Sequence, residues 1–274
     1  KDEIMKNTII TSNPTLTTSS NNTSDESGLY KSTDTNTGEP TYYFRGNVEN
    51  NYVSFAGYTW RIVRINEDGT IRIIMQDGIN NNANISFNSN NNYFNSNNNY
   101  SYMYYTNSQI KSTLENWYQT NIGSKSELAQ NVVTGDYYCE QAKVKYSSSY
   151  TSGNASMTVY SSYTPNFKCT TDGNGKGIVN ASVGLLSYDE AVYAGGYYGE
   201  SNRNYYLYNS TIYLWTMSPV GFTGSFAYVW LISSGNIKFD RVYSSFALRP
   251  ILILKANTQV TGTGTSSDPF IIVS

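Results

Sequence analysis

The stretch YTWRIVRINEDGTIRIIM, residues 58–75, constrains the chain most. Two arms rich in aromatic and β-branched residues flank NEDG (66–69), a turn tetrad, so the arms read as an antiparallel hairpin. Ile71, Ile73 and Met75 alternate with Arg72, Ile74 and Gln76, while WRIVRI alternates less cleanly. Strand signals recur at TYYFRG (41–46) and across NYVSFAGYTWRIVRI (51–65). Later come IYLWTMS (212–218), FAYVWLIS (226–233), GNIKF (235–239), FALRPILIL (246–254) and DPFIIVS (268–274).

Two helices are expected. In SQIKSTLENWYQTNI (108–122), Ile110, Leu114 and Trp117 fall on one face and Gly123 ends the run, with Trp117 read as core. In SYDEAVYAGG (187–196), Ser187 and Glu190 have capping-box spacing and Gly195–Gly196 stops the helix. The Asn-rich tract 79–107 reads as a long loop, held to the body by Phe87, Tyr93, Phe94 and Tyr102. TSNPTLTTSSNNTSDES (11–27) has almost nothing to bury. Residues 1–27 are therefore an N-terminal tether or the end of a longer helix, and 28–274 are one domain. Helices followed by a run of short strands, joined by long loops, give the α+β class.

The 274-residue chain has no histidine, which removes Ser-His-Asp and Cys-His catalysis and every imidazole metal site. No carboxylate pair stands out for acid–base work, so no enzyme activity, cofactor or metal is expected. DGNGKG (172–177) opens like a calcium loop, but Val183 stands where the closing Glu belongs, so it reads as a turn. With 14% charged residues and a net charge of −2, nucleic acid and anionic membranes are poor partners. A surface dominated by Asn, Ser, Thr and 27 Tyr suits sugars or proteins. Cys139 and Cys169 read as one disulfide contributing roughly 3–4 kcal/mol in the loop-entropy account, the alternative being two unrelated buried thiols. No apolar run approaches the ~20 residues of a membrane span. Because the first residue is Lys1, a signal peptide or anchor upstream is compatible with the sequence.

The ordered set YYFRG, VSFAGYTWRIVRINEDGTIRIIM, LENWY, GLLSYDEAVYAGG, LWTMSP, SSGNI, ALRPILIL and GTGTSSDPFII, spanning nearly everything from Gly28 onward, resembles surface proteins of low-GC gut Firmicutes. These look like members of the C-type lectin-like superfamily, in the branch shared with formylglycine-generating enzymes. The resemblance implies two helices, a small twisted antiparallel sheet, long irregular loops and a ligand face near the C-terminal segment. It also implies an extracellular protein on the surface of a Gram-positive-type bacterium. Some relatives are variable proteins of diversity-generating retroelements.

On that pattern Trp215, Ser218, Gly235, Arg249 and Pro250 are structural. The ligand-binding positions are Val220, Phe222, Thr223, Ser225, Phe226, Tyr228, Leu231, Ser233, Phe239, Asp240, Tyr243, Ser245 and Phe246. The reactive cysteine pair of the enzymes lies near their C-terminal region, where this chain has none, so the oxidase activity should be absent. Alternation in FAYVWLIS places Ala227, Val229 and Leu231 opposite Tyr228, Trp230 and Ile232, yet both sides are apolar and neither is marked as outer. The expected function is a non-enzymatic adhesion or ligand-binding module. Its aromatic face (about 219–246) contacts a protein or glycan on another cell or phage. The alternative is a self-assembling pilin-like or surface-layer subunit.

Overall fold

The computed structural model describes residues 1–14, 16, 26–89, 103–140, 144–146, 157–159, 164–169, 177–199, 201–223 and 226–273. Its centre is the hairpin Tyr58–Ile65 with Ile71–Met75, paired from Trp60↔Met75 to Ile65↔Ile71 with a bulge at Val63. The turn is closed by Asn66 N–H to Thr70 O at 2.8 Å, with Gly69 at φ +83° and Asp68 Oδ1 accepting from Thr70 N and Oγ1.

That hairpin is the branch point of a ten-stranded mixed sheet. One edge of Tyr58–Ile65 carries two strands. Tyr52–Phe55 pairs with its first half and Thr41–Arg45 with its last residues. Outward from these, Gly28–Ser32 pairs with Thr41–Arg45, and Phe270–Val273 runs parallel to Tyr52–Phe55 with Gln259–Thr261 beyond. On the other side Ile71–Met75 takes Ile251–Leu254, which takes Val132–Val133. Before residue 28 the chain is joined to this body: Ile4 is buried, and Ile9–Ile10 adds a parallel edge strand against Leu29–Tyr30.

Two helices close the faces of the hairpin. Gln109–Tyr118 starts at Ser108, whose Oγ accepts from Lys111 N, and it buries Ile110, Leu114 and Trp117. The Trp117 ring lies 6.4 Å from Trp60 and 5.6 Å from Tyr58, so this helix covers the Trp60/Ile62/Ile73/Met75 face. Tyr188–Ala194 begins with a complete Ser187–Glu190 capping box and ends at Gly195, φ +125°. It covers the Arg64/Arg72 face, where Glu190 meets Arg72 Nε at 2.6 Å and Arg64 Nε at 3.2 Å.

A four-stranded sheet, Leu214–Thr223, Phe226–Ser233, Asn236–Arg241 and Tyr197–Tyr198, packs beside this unit and shares its core. Cys139 and Cys169 form a disulfide, S–S 2.08 Å. It ties the strand Gly135–Glu140 to the segment that places Phe167 on Tyr193, rings 4.1 Å apart and stacked.

The expected α+β fold with a small twisted antiparallel sheet and two helices is overturned. The chain is mostly β, about 40% strand and 18% helix, built on a large, mixed, curled sheet with four helices among the described residues. The physical reason lies in the pairings. Ile251–Leu254 reaches back to Ile71–Met75, and Phe270 to Val53, and these distant contacts enlarge the sheet without any local sequence mark. Of the Asn-rich tract, Phe87 is fully buried, while Tyr93, Phe94 and Tyr102 lie outside the described residues, as does nearly all of DGNGKG.

Candidate functional site

The C-terminal sheet is registered by one tight turn. Ser234 and Gly235 both have positive φ (48° and 81°), the backbone that a two-residue hairpin requires. A Cβ on Gly235 would sit 1.9 Å from Asn202 O, because the segment after residue 200 clasps the turn through Asn202 N–H to Gly235 O and Ser201 Oγ to Ser234 O. From this turn the cross-strand pairs run Ile232↔Ile237, Trp230↔Phe239 and Tyr228↔Arg241. Directly opposed residues share a face, so these six side chains and Phe226 lie on one side.

What covers that side changes along its length. At the Ile232/Ile237 end the helix Tyr188–Ala194 packs on it, and Tyr188 sets its ring 4.7 Å from Trp230. Tyr188 N–H is in turn fixed to Ser218 Oγ at 2.9 Å. Beyond Trp230, itself 1% exposed, the helix stops and the face comes out to solvent. Tyr198 is 48% exposed and stands edge-on to Trp230 at 5.2 Å and stacked toward Phe239 at 6.2 Å. Tyr228 meets Phe239 at 5.7 Å. At the far end Arg241 lies over Phe226, 4.1 Å to the ring centroid, and donates to Tyr243 OH at 2.5 Å. Burial, followed by the nearby Asp189 and Tyr198, pushes the Tyr188 phenol up to about 12, so it remains a neutral hydroxyl.

The face therefore gathers Phe226, Tyr228 and Phe239 of the expected binding positions, with Tyr243 at its border. Asp240, paired with Val229, belongs to the other side of the sheet, its Oδ1 accepting from Arg241 N and Ser244 Oγ. Val220, Leu231 and Ser233 are buried in the interior. Ser245 and Phe246 lie elsewhere, in a short ladder with Ile85–Ser86, where Phe246 packs on Trp215 at 4.9 Å. Phe222 and Thr223 are strand positions paired with Ala227 and Phe226, and Ser225 lies outside the described residues. Three contributors were not singled out in the sequence: Tyr188, Tyr198 and Arg241. The signal for Tyr198 was the Tyr pair directly after the helix-stopping glycines; for Arg241, a guanidinium set among Phe239, Tyr243 and Phe246.

The frame residues are interior fasteners. Trp215 donates its indole N–H to Ile85 O at 3.0 Å. Arg249 donates Nε to Met75 O and Nη1 to Leu207 O, and Pro250 O accepts from Met75 N. Burial, reinforced by the charge of Arg61, lowers the Arg249 guanidinium to about 10.

A second concavity, about 520 Å³, lies between the 66–69 turn and the disulfide-bonded strand. Glu39, Glu67, Asp68, Asp136, Tyr137 and Phe167 line it. Three of its four carboxylates are engaged, Glu67 by Thr37, Asp68 by Thr70 and Tyr137, and Asp136 by Asn180, while Glu39 is exposed at its border. Burial opposes the Asp68 charge, but the hydrogen bonds from Thr70 and Tyr137 outweigh it and hold the carboxyl below its ordinary value, the reverse of what a general acid needs. Among the described residues no group of three or more acidic or cysteine side chains is placed to hold a metal ion. Nor is any described helix long and apolar enough to cross a membrane.

No family model, curated protein or solved structure matches this chain, so these comparisons neither support nor oppose the lectin-like resemblance.

Proposed function

We propose that the protein is a non-enzymatic binding or adhesion module that works outside the cell and holds its ligand on the aromatic face formed by Tyr198, Tyr228, Phe239, Arg241 and Phe226. One observation carries the reading: a sheet face continuous with the core is covered by a helix up to Trp230 and left open beyond it. Rings fixed in this way offer large contact area at low entropic cost, since little rotamer freedom remains to be lost on binding. The disulfide is consistent with a secreted or extracellular protein.

The test is binding of the purified chain to epithelial and bacterial cells and to a glycan array, beside a variant carrying Tyr198→Ser, Tyr228→Ser and Phe239→Ser. The reading expects the triple variant to keep its fold and lose the binding. Equal binding by both proteins, or no binding by the unaltered chain, overturns it. The finer reading, that the face is diversified, is checked by deep sequencing of the locus in one population. Substitutions concentrated at Phe226, Tyr228, Phe239 and Tyr243, with Trp215, Gly235 and Arg249 constant, support it. A uniform segment ends it.

A further inference from the structure

The charge on the aromatic face goes one step beyond a general binding surface, and the step rests on the reading just proposed. Arg241 is the cation of that face. Its guanidinium is fixed from two sides, by the Phe226 ring at 4.1 Å and by its hydrogen bond to Tyr243 OH. Among the described residues no carboxylate lies within ion-pair distance of it. The neighbouring Asp240 carboxylate accepts instead from the Arg241 backbone N–H and from Ser244. Lys238 belongs to the opposite side of the sheet, paired with Leu231. A stacked guanidinium held by the phenols of Tyr243 and Tyr228 has lost much of its freedom already, and guanidinium N–H groups pair with a carboxylate as a planar fork. Positive charge at this point is also local, because the chain as a whole carries −2.

Directly across the strand pair from Arg241 stands Tyr228, with Phe239 next to it and Tyr198 beyond, centroids 5.7 and 6.2 Å apart in turn. These rings form an aromatic corner, Tyr228 edge-on to Phe239 and Tyr198 stacked toward it, with the phenols of Tyr198, Tyr228 and Tyr243 in the same cluster. An aromatic corner carrying hydroxyls complements a pyranose, whose C–H face packs on one ring while its hydroxyls find donors and acceptors beside it.

We propose that this face recognises an acidic sugar, a pyranose bearing a carboxylate, with the sugar ring packed in the corner of Tyr228 and Phe239 and the carboxylate on Arg241.

The proposal is tested by titrating the full chain, by calorimetry and saturation-transfer NMR, with 3′-sialyllactose and a glucuronate-terminated disaccharide. Lactose and the glucose-terminated disaccharide serve as neutral counterparts, and a hexaglutamate peptide as a non-sugar acid. The expected result is binding of at least one acidic sugar, about tenfold or more tighter than its neutral counterpart. Arg241→Ala should remove that preference. Arg241→Lys, which keeps the charge and loses the fork, should restore it only in part. Near-UV circular dichroism of each variant confirms that the face is still formed. Equal binding of acidic and neutral sugars, binding unaffected by Arg241→Ala, or hexaglutamate binding as well as the sugars each overturns the proposal. If no probe binds while the triple aromatic variant still loses cell binding, the acidic-sugar inference falls and the broader reading stands.

Discussion

Two hairpins of similar composition meet different fates in this molecule. Tyr58–Ile65 with Ile71–Met75 is closed on both faces, by Trp117 on one side and by the Glu190 ion pairs on the other. Phe226–Ser233 with Asn236–Arg241 is closed on one face along its first strand, where Leu231 pairs with Trp215 above Phe87 while Lys238 on the second strand stays exposed, and is covered over only half of the other. The same short helix, Tyr188–Ala194, makes the difference. Its Glu190 completes the first hairpin, and the Tyr188 at its start marks the point where cover on the second one ends. Whether an apolar strand becomes core or binding surface is thus decided by the reach of its neighbour rather than by its own residues.

The sharpest way to break this contrast is Glu190→Gln, which leaves Arg64 and Arg72 buried without their carboxylate. A loss of about 3–5 kcal/mol in urea unfolding at neutral pH is expected. Burial pushes the Glu190 carboxyl up, but Arg72, Arg64 and the Ser187 N–H outweigh it and hold the group below its ordinary value of 4.5. Its contribution is therefore fully present above that value and fades as pH falls through the lower, folded one. The variant should show a flatter acid limb; an unchanged limb would remove Glu190 from the account. Ile73→Ala, in the closed hairpin, should cost about 2–5 kcal/mol, read from the denaturation midpoint. Gly235→Ala comes next, at about 1–3 kcal/mol, because it forces a side chain into a left-handed turn and against Asn202 O. It should also weaken binding without touching any ring of the binding face, since the ring it meets is Tyr208. Phe239→Ala should cost about 1 kcal/mol or less in stability and show its main effect in ligand binding. If Phe239→Ala proves as destabilising as Ile73→Ala, the two hairpins do not differ and the binding face is core.

Much of the frame was legible locally. The 66–69 turn between alternating arms, the Ile110/Leu114/Trp117 stripe, the Ser187–Glu190 box and the cysteine pair each carry their own physical signature within a few positions or by elimination. The extent of the sheet was not, because pairings such as Ile251↔Ile74 and Phe270↔Val53 join segments that carry no mark of each other. The site was half legible for the same reason. FAYVWLIS is apolar on both sides, so its outer face is set by where Tyr188 and Trp215 come to rest. Val220, Leu231 and Ser233 fall inside, while Tyr198 arrives from a separate strand, parallel to Ile237.

Trp230 has an optical consequence. Its indole is shut from water yet touches three rings, two of which, Tyr198 and Phe239, would be the first to feel a visitor. Trp60 and Trp117 sit together on the large sheet and Trp215 lies on Phe87, away from that contact. Emission from this one buried fluorophore should shift as the rings above it settle against a ligand, so the chain carries its own unlabelled gauge of occupancy.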